Sequence, residues 1–214
     1  TGNNAFFLLT EQDVKNWNIE KTYIKYLVKS PQHVQFYSID HQARTTMILY
    51  CQDSEKEIKG TGVWDYIMWG KKEGIHQTPS VRNHSPWWFV GHEKAPDAVW
   101  FKAFHNRFVY PINKAGALVS DRFYKITMRS PFKQEALAAS LNNIFTVLCT
   151  ELMGRTSLGE GALDNMTYEA ASNLVFKPDL MPHNVLIPAR PVLPIFEELK
   201  QEDRRAFDEA IYRA

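Results

Sequence analysis

The strongest constraint on the fold is an apolar stripe at helical spacing within residues 130–154. Ser130 can cap a helix here, Pro131 suits its first turn, and Gly154 is typical of a helix end. The spacing predicts one continuous amphipathic helix whose apolar face belongs to the core. The stripe consists of Leu137, Leu141, Ile144, Leu148 and Leu152.

Short apolar runs and turn residues surround this helix. Thr10 can accept a hydrogen bond from the Asp13 amide and so begin another helix. Residues 56–69 repeat apolar side chains at helical spacing up to Gly70, which we expect to end that helix. The pattern favours an α+β fold: a mixed domain of short, mostly antiparallel strands with a few helices and a helical C-terminal tail. The predicted strands lie at residues 6–9, 33–40, 45–50, 88–90, 98–101, 107–112 and 119–128.

The C-terminal part of the chain has a different composition. Five prolines between residues 178 and 194 favour an extended, wrapping connection. We expect residues 1–185 to form one domain, and residues 186–214 to form an extended connection with a C-terminal helical tail that packs on it. The sequence begins Thr1-Gly2 without Met or a leader pattern, from which we expect a piece of a longer protein.

Composition excludes several classes of protein. Hydrophobic residues make up 44% of the chain, enough for a sizeable core. No apolar run approaches the roughly 18 residues of a membrane helix, so we expect no membrane partner. Cys51 and Cys149 are the only cysteines, too few for a disulfide framework or a zinc cluster. We expect both to be buried thiols in a reducing compartment, the cytoplasm.

The distribution of charge is uneven although the formal net charge is only +1. Residues 102–133 contain seven Lys or Arg and one acid, whereas residues 192–214 contain six acids and four bases. The basic middle is typical of a localised phosphate-contacting face. An ordinary solvated strand surface explains the same charges equally well.

The chain lacks the short motifs of common enzymes. It has no phosphate-binding glycine loop, no His-Glu-x-x-His and no Gly-x-Ser-x-Gly. The Gly-x-Gly pieces at 60–62 and 159–161 lack a strand-turn-helix context, so we interpret them as turns. The seven histidines show no metal-ligand spacing on a predicted helix. We therefore expect no catalytic residue and no metal site in this chain.

A polar and aromatic loop is predicted at residues 74–88. Arg82, Asn83 and His84 are side-chain types that read base edges through hydrogen bonds. Trp87 and Trp88 follow them, and a pair of this size is typical of core packing. An ordinary polar loop remains the alternative for the three polar residues.

Motifs that occur together in one known family are spread in order along nearly the whole chain: TGNNAFF at 1–7, KGTG at 59–62, YIMWG at 66–70, WW at 87–88, LN at 141–142, GRTSLGEGAL at 154–163, and IFEEL with DRRAFD at 195–208. This ordered set resembles the C-terminal specificity domain of TaqI-like adenine-N6 DNA methyltransferases and their fused type II restriction relatives.

The resemblance implies that residues 1–185 are a target-recognition domain for double-stranded DNA in an adenine-specific methyltransferase of restriction-modification type. Enzymes of this family catalyse with an N-P-P-Y motif that holds a flipped adenine. This chain has no N-P-P-Y. We therefore expect no methyl transfer by this chain alone and no cofactor in it. S-adenosylmethionine and catalysis would belong to the parent's N-terminal methyltransferase domain, the second expected partner.

The same resemblance directs attention to particular basic and polar side chains. Arg82, Asn83 and His84 are expected near bases, and Arg155 lies in a glycine-rich loop that could approach DNA or form an internal salt bridge. The residues expected near phosphates are Lys71, Lys72, Arg107, Lys114 and Arg122.

Three other functions remain open at this point. The chain could be a protein-interaction module of a phage-defence complex. It could itself be an active transferase or nuclease, against which the missing motifs argue. It could also bind single strands or RNA, with Trp87, Trp88 and Tyr124 as stacking platforms.

Overall fold

The computed structural model describes residues 4–40, 46–156, 162–182 and 185–213. It confirms the α+β class, because helices and strands occur in separate runs: five short strands between residues 98 and 126 are followed by two helices between residues 134 and 153. The helices are α1 (Asn4–Phe7), α2 (Glu11–Asn16), α3 (Glu55–Ile58), α4 (Gly62–Lys72), α5 (Gln134–Asn142), α6 (Ile144–Met153), α7 (Thr167–Ser172), α8 (Ile195–Glu198) and α9 (Glu202–Tyr212). The strands are β1 (Leu8–Leu9), β2 (Ile24–Val28), β3 (Ser38–Ile39), β4 (Thr46–Leu49), β5 (Ala98–Phe101), β6 (Ala103–Phe104), β7 (Ile112–Asn113), β8 (Leu118–Val119), β9 (Phe123–Ile126) and β10 (Leu163–Asp164).

The described strands form three small sheets. Their orders are β1-β4-β2-β8, β3-β7-β5-β9 and β10-β6. Most neighbouring pairs are antiparallel, as expected, whereas β2 with β8 and β3 with β7 are parallel. A parallel pair needs a long connection, so the chain leaves each of these strands, builds other elements and returns.

The first sheet packs with α4 on a cluster that we call the aromatic core, centred on Phe6 and Tyr66. The two rings stack with centroids 4.9 Å apart, and the Trp87 ring lies 5.1 Å from Phe6. The prediction that Gly70 ends its helix is wrong, since α4 continues to Lys72. Gly70 instead gives room to Phe6: a Cβ at this position would lie 2.3 Å from Phe6 Cε2.

The second sheet packs with α5 on the central core, a buried cluster that includes Trp100, Tyr110 and Leu137. The parallel pair β2–β8 joins the two cores. Its first rung, Leu27 with Leu118, belongs to the aromatic core, and its second, Val28 with Val119, belongs to the central core. The two cores therefore meet along this two-residue pair.

The predicted continuous helix over residues 130–154 is wrong. The helix starts at Gln134 without a side-chain cap, and it breaks at Asn143 into α5 and α6, whose axes differ by 49°. Asn142 pairs with the Tyr110 backbone, accepting from its amide at 2.8 Å and donating to its carbonyl at 2.9 Å. Asn143 caps α6 by accepting from the Thr146 amide at 3.1 Å. Two buried side chains that bond to backbone thus stop one helix and start the next.

The break determines which residues of the apolar stripe are buried. Leu137 and Leu141 are buried as expected, but the side chains of Leu148 and Leu152 are 53% and 74% exposed. The second half of the stripe therefore lies on the surface. Gly154 does end α6, as predicted.

The C-terminal tail is held by a group of polar residues that we call the clasp, consisting of Tyr37, Arg190, Glu198, Asp203, Arg204 and Asp208. Arg204 and Glu198 are each only 1% exposed. Arg204 donates to Asp208 Oδ2 and to the Tyr37 hydroxyl, both at 2.8 Å, and that hydroxyl donates to Glu198 Oε1 at 3.0 Å. Arg190 completes the network with ion pairs to Glu198 and Asp203.

The clasp also reaches the N-terminus of α6. Asp208 accepts from the Ile144 amide at 2.9 Å, and the Tyr212 hydroxyl accepts from the Phe145 amide at 3.0 Å. The first amides of a helix have no partner inside the helix. Helix α9 therefore supplies the acceptors that the break at Asn143 requires.

The remaining predictions have mixed outcomes. The Thr10 cap, the strands near 45–50 and 98–101, and the burial of Cys51 and Cys149 are confirmed. Residues 88–90 form no strand because they pack as an irregular segment, and residues 6–7 belong to α1 rather than to a strand. Only β3 and β7 form within 33–40 and 107–112. Residues 1–3 and 157–161, which carry part of two motifs, lie outside the described ranges.

In the part of the chain that the structure describes, no single helix is both long and apolar enough to cross a membrane. The bent pair α5–α6 reaches that length and composition jointly, as helices of a protein core often do.

Candidate nucleic-acid interface

A cleft of about 620 Å³ lies where the two large sheets meet. Its floor includes the β2–β8 joint, and its rim carries both basic and acidic side chains. The residues that line it are Leu8, Leu27, Lys29, Ile48, Tyr50, Val90, Glu93, Leu118, Val119, Ser120, Asp121, Arg122, Phe123 and Lys125.

Lys29 and Arg122 are brought together on this rim by backbone contacts. The Ser120 hydroxyl donates to the Lys29 carbonyl at 2.8 Å and accepts from the Arg122 amide at 3.3 Å. The Ser120 amide also donates to the Val28 carbonyl at 3.1 Å, which extends the β2–β8 pairing. Both basic side chains are exposed, so two cations stand at one edge of the cleft.

Lys125 lies in the same cleft but is paired. It forms an ion pair with Glu93, in the connection between α4 and β5. The Tyr50 hydroxyl donates to the Glu93 carbonyl at 2.8 Å and so holds this connection in place. Burial, together with the nearby Glu93 carboxylate, raises the pKa of Tyr50. Lys25 lies 5.7 Å above the Tyr50 ring and adds another cation nearby.

The predicted polar loop ends beside this cleft. Arg82, Asn83 and His84 are exposed, and they follow Val81, which is buried in the aromatic core. His84 Nδ1 lies 2.8 Å from the Phe89 carbonyl oxygen, and the next residue, Val90, lines the cleft. The three polar side chains are thus exposed on a loop that is anchored at both ends.

The aromatic side chains suggested for base stacking are already engaged. Trp88 is 5% exposed in the aromatic core, and the Trp87 ring packs against Phe6 and Trp88. The Tyr124 hydroxyl donates to the Asn165 carbonyl at 2.8 Å, and Lys102 lies 5.1 Å above the ring. The tryptophan pair therefore has the packing role that the sequence also allowed.

Four other predicted basic residues do not line the cleft. Lys71 and Lys72 are exposed at the C-terminal end of α4, near the loop that follows it. Lys114 is exposed in the turn between β7 and β8. Arg107 is half-buried and donates to the Val34 carbonyl at 3.1 Å, and burial lowers its pKa.

Arg155 has an internal partner. Its Nε lies 2.7 Å from Glu169 Oε1, and its guanidinium lies 6.0 Å from the Tyr168 ring centroid. Its backbone forms an isolated bridge with Asp164. Of the two interpretations offered by the sequence, the internal salt bridge is the one present, although nearly half of the side chain stays exposed.

The comparison with protein families now identifies the chain. The family model described as "Type II methyltransferase M.Eco57I, C-terminal domain" matches residues 1–209. The chain belongs to this family. The resemblance inferred from the sequence motifs is thereby confirmed.

The fold of this chain also occurs in a solved structure. It is similar to the structure titled "Characterization and crystal structure of the type IIG restriction endonuclease BpuSI", with a TM-score of 0.58 and 11% sequence identity. The match covers 99% of this chain and 28% of that chain, so the domain spans well under a third of that protein's length. No curated protein matches the chain.

The cleft and its surroundings contain functional candidates that the sequence alone did not predict. Lys29, Lys25 and Tyr50 were not predicted, although each stands at or beside the cleft. The missing signal is long-range pairing: Lys29 meets Arg122 only because β2 pairs with β8 across 91 residues. Within the described ranges, no group of three or more His, Cys, Asp or Glu side chains is arranged to hold a metal ion.

Proposed function

We propose that this domain recognises double-stranded DNA for an adenine-specific type II DNA methyltransferase. Membership of the M.Eco57I C-terminal family carries the proposal. Because the chain spans only 28% of the similar restriction endonuclease, we infer that a methyltransferase portion would precede it, bind S-adenosylmethionine and hold the flipped adenine. The domain itself would bind no cofactor and transfer no methyl group. We place its action in the cytoplasm, together with the DNA.

The cleft and the loop beside it support separate roles for two groups of residues, one that contacts phosphates and one that contacts bases. Lys29 and Arg122 stand together on its rim and suit adjacent phosphates, which contribute affinity without sequence information. Arg82, Asn83 and His84 present donors and acceptors from an anchored loop, as direct readout of base edges requires. Lys71, Lys72 and Lys114 would extend the phosphate contacts outside the cleft.

Two predicted residues have a smaller part in this proposal. Arg107 is half-buried and bound to a backbone carbonyl, and Arg155 is paired with Glu169. Either side chain would have to give up an existing partner to reach a phosphate. We therefore expect them to contribute less than Arg122, which is exposed on the cleft rim.

The test measures binding of the purified chain to duplex DNA of mixed sequence by fluorescence anisotropy, at two salt concentrations. Affinity should fall as salt rises, because each phosphate contact releases counterions. Arg122→Ala and Lys114→Ala should weaken binding to every sequence and lower the salt slope by about 1 each. Arg82→Ala should instead relax preference at one base, with a loss of about 1–3 kcal/mol of discrimination.

Arg213→Ala is the matched control, because Arg213 is 80% exposed on the acidic tail and should leave DNA binding unchanged. Equal losses on every sequence from Arg82→Ala and Lys114→Ala would refute the division between base and phosphate contacts. Absence of duplex binding at low salt would refute DNA recognition by the isolated chain.

A second candidate is a protein-interaction module of a phage-defence complex. The observation that favours it is apolar surface in the C-terminal third of the chain, where several Leu side chains and Phe196 are mostly exposed. Tight protein binding without any duplex binding would support this candidate over the first.

A further inference from the structure

The cleft between the two large sheets contains charges of both signs. Among the described residues, its basic side chains are Lys29, Arg122 and Lys125, and its acidic ones are Glu93 and Asp121. This lining carries a net charge of +1, and without Glu93 it would carry +2. Each basic side chain that meets a phosphate adds affinity for DNA. A carboxylate inside the cleft therefore works against the binding of DNA there.

The position of Glu93 is fixed through its backbone. The Tyr50 hydroxyl donates to the Glu93 carbonyl at 2.8 Å, and the Gln52 side-chain amide donates to the Gly91 carbonyl at 3.0 Å. The same Gln52 amide also donates to the Tyr50 hydroxyl. Two side chains that follow β4 thus hold residues 91–93 against the first sheet. The Glu93 carboxylate lies at the cleft because its main chain is held there.

The ion pair between Glu93 and Lys125 is itself open to water. The Lys125 side chain is 39% exposed and the Glu93 side chain is 52% exposed. Exposed ion pairs contribute little to stability, because water solvates the separated charges almost as well. The pair can therefore separate at low cost, and we expect the fold not to depend on it.

Lys125 lies where a further phosphate contact is expected. It belongs to β9, which begins directly after Arg122, and the contacts of Ser120 bring Arg122 to Lys29. Within the described ranges, Lys125 is the one basic side chain of the cleft that forms an ion pair. Glu93 thus neutralises one of three cations that otherwise face the same opening.

We propose that the Glu93 carboxylate occupies the place on Lys125 that a phosphate of bound DNA takes, so that Glu93 competes with DNA for this lysine. This inference rests on the function proposed above. Carboxylate and phosphate oxygens both accept charge-assisted hydrogen bonds from an ammonium group. Phosphate contacts carry no sequence information. The competition therefore lowers the affinity for every duplex by the same factor, and stable binding then depends more on base contacts.

Glu93→Gln tests the proposal, because it removes the charge and keeps the size of the side chain. The variant should bind duplex DNA of mixed sequence about tenfold more tightly than the unmodified chain at low salt, measured by fluorescence anisotropy. Glu197→Gln is the matched control. Glu197 is 57% exposed and paired with Lys200 outside the cleft, so this variant changes the net charge equally and should leave the affinity unchanged. An equal gain from both variants would assign the effect to overall charge and overturn the proposal.

A double variant identifies the lysine that is released. Lys125→Gln added to Glu93→Gln should return the affinity to about that of the unmodified chain. It should also lower the salt slope by about 1 relative to Glu93→Gln alone, because one phosphate contact is lost. A gain in affinity that persists in the double variant would overturn the proposal. The variants should unfold at the same urea concentration as the unmodified chain, as expected for an exposed pair.

Acetylation of lysines gives an independent measurement on the unmodified chain. Saturating duplex should protect Lys125 from an amine-acetylating reagent, as read by mass spectrometry, because a phosphate then covers its ammonium group. Lys200 on the tail should react equally with and without duplex. Unchanged acetylation of Lys125 at saturating duplex would overturn the proposal.

The two proposals fail separately. Duplex binding by the unmodified chain without any gain from Glu93→Gln would overturn the competition alone and leave DNA recognition intact. Absence of duplex binding by both the unmodified chain and Glu93→Gln would overturn DNA recognition by this chain, and the competition with it.

Discussion

The aromatic core around Phe6 and the clasp around Arg204 both join segments that are distant in sequence, but they do so by different physics. In the aromatic core, α1, α4 and the loop that holds Trp87 meet through ring contacts with centroids 4.9–6.5 Å apart. In the clasp, the Tyr37 hydroxyl meets the C-terminal tail through hydrogen bonds of 2.8 and 3.0 Å, and the Arg190–Glu198 ion pair within the tail completes the network. The stability of the aromatic core depends on the shape and volume of its side chains, whereas the stability of the clasp depends on the presence of every hydrogen-bonding partner.

The difference determines how each region responds to change. Apolar packing is not directional, so a cluster of rings adjusts to small changes at a moderate cost. A buried ion pair is stabilising only while its partners satisfy each other, and removal of one partner leaves an uncompensated charge. The clasp should therefore fail more abruptly than the aromatic core.

The largest effect is expected from Arg204→Ala. The change leaves Asp208 and the Tyr37 hydroxyl without their buried donor, and it should lower the free energy of unfolding by about 3–5 kcal/mol. Urea denaturation measures this loss. Arg213→Ala removes the ion pair between Glu209 of the same helix and Arg213, which directly follows the helix and is 80% exposed, and this variant should be indistinguishable from the unmodified chain. A similar loss from both variants would remove the distinction between the clasp and surface charge.

A smaller effect is expected in the aromatic core from Gly70→Ala. The new Cβ would lie 2.3 Å from Phe6 Cε2, and the overpacking should lower the free energy of unfolding by about 1–3 kcal/mol. Phe6→Leu in the same chain should make room for the methyl group. The double variant should therefore be less destabilised than the sum of the two single variants, and strict additivity would contradict the contact.

The smallest effect on stability is expected when the pH is lowered. Hydrogen bonds from Arg190 lower the pKa of Asp203. Burial alone would raise the pKa of Glu198, but hydrogen bonds from Arg190, the Leu193 amide and Tyr37 outweigh burial, and the pKa of Glu198 is lowered as well. Carboxylates that are more acidic in the folded state stabilise it above their unfolded pKa, and this contribution is lost as pH falls through the folded pKa. The clasp should weaken below about pH 5.

Two probes separate the regions in an acid titration. Amide exchange in α9 reports on the clasp, whereas tryptophan fluorescence reports mainly on the aromatic core, because Trp17, Trp64, Trp69, Trp87 and Trp88 all pack there. The protection factors of the α9 amides, which correct for the slower intrinsic exchange in acid, should fall at a higher pH than the one at which the fluorescence changes. Coincident transitions would show that the two regions unfold as one unit.

The sequence predicts the parts of this fold that depend on local pattern. The Thr10 cap and the strands near 45–50 and 98–101 follow from residues that are neighbours in the chain. The break at Asn143 does not, because the helical spacing continues through it. Its cause is the pairing of Asn142 with Tyr110 and the caps from α9, more than 30 and 60 residues away.

The candidate site shows the same limit. Arg122 and the polar loop were predicted from residue type, and both lie at or next to the cleft. Lys29 was not predicted, because no residue near Lys29 in the sequence indicates that Ser120 will bind the Lys29 carbonyl. Arg155 illustrates the opposite case, in which a basic residue of suitable type is already paired with a carboxylate.

The pair β2–β8 has a consequence for how proteins of this architecture diversify. Its two rungs belong to different cores, so each half of the molecule keeps its own interior and shares a narrow seam with the other. The polar loop is anchored in the aromatic core, away from the clasp. Substitutions in that loop can accumulate without disturbing the packing behind the tail. Such a layout is modular, because the loop surface can change on one side while the other side keeps the scaffold unchanged.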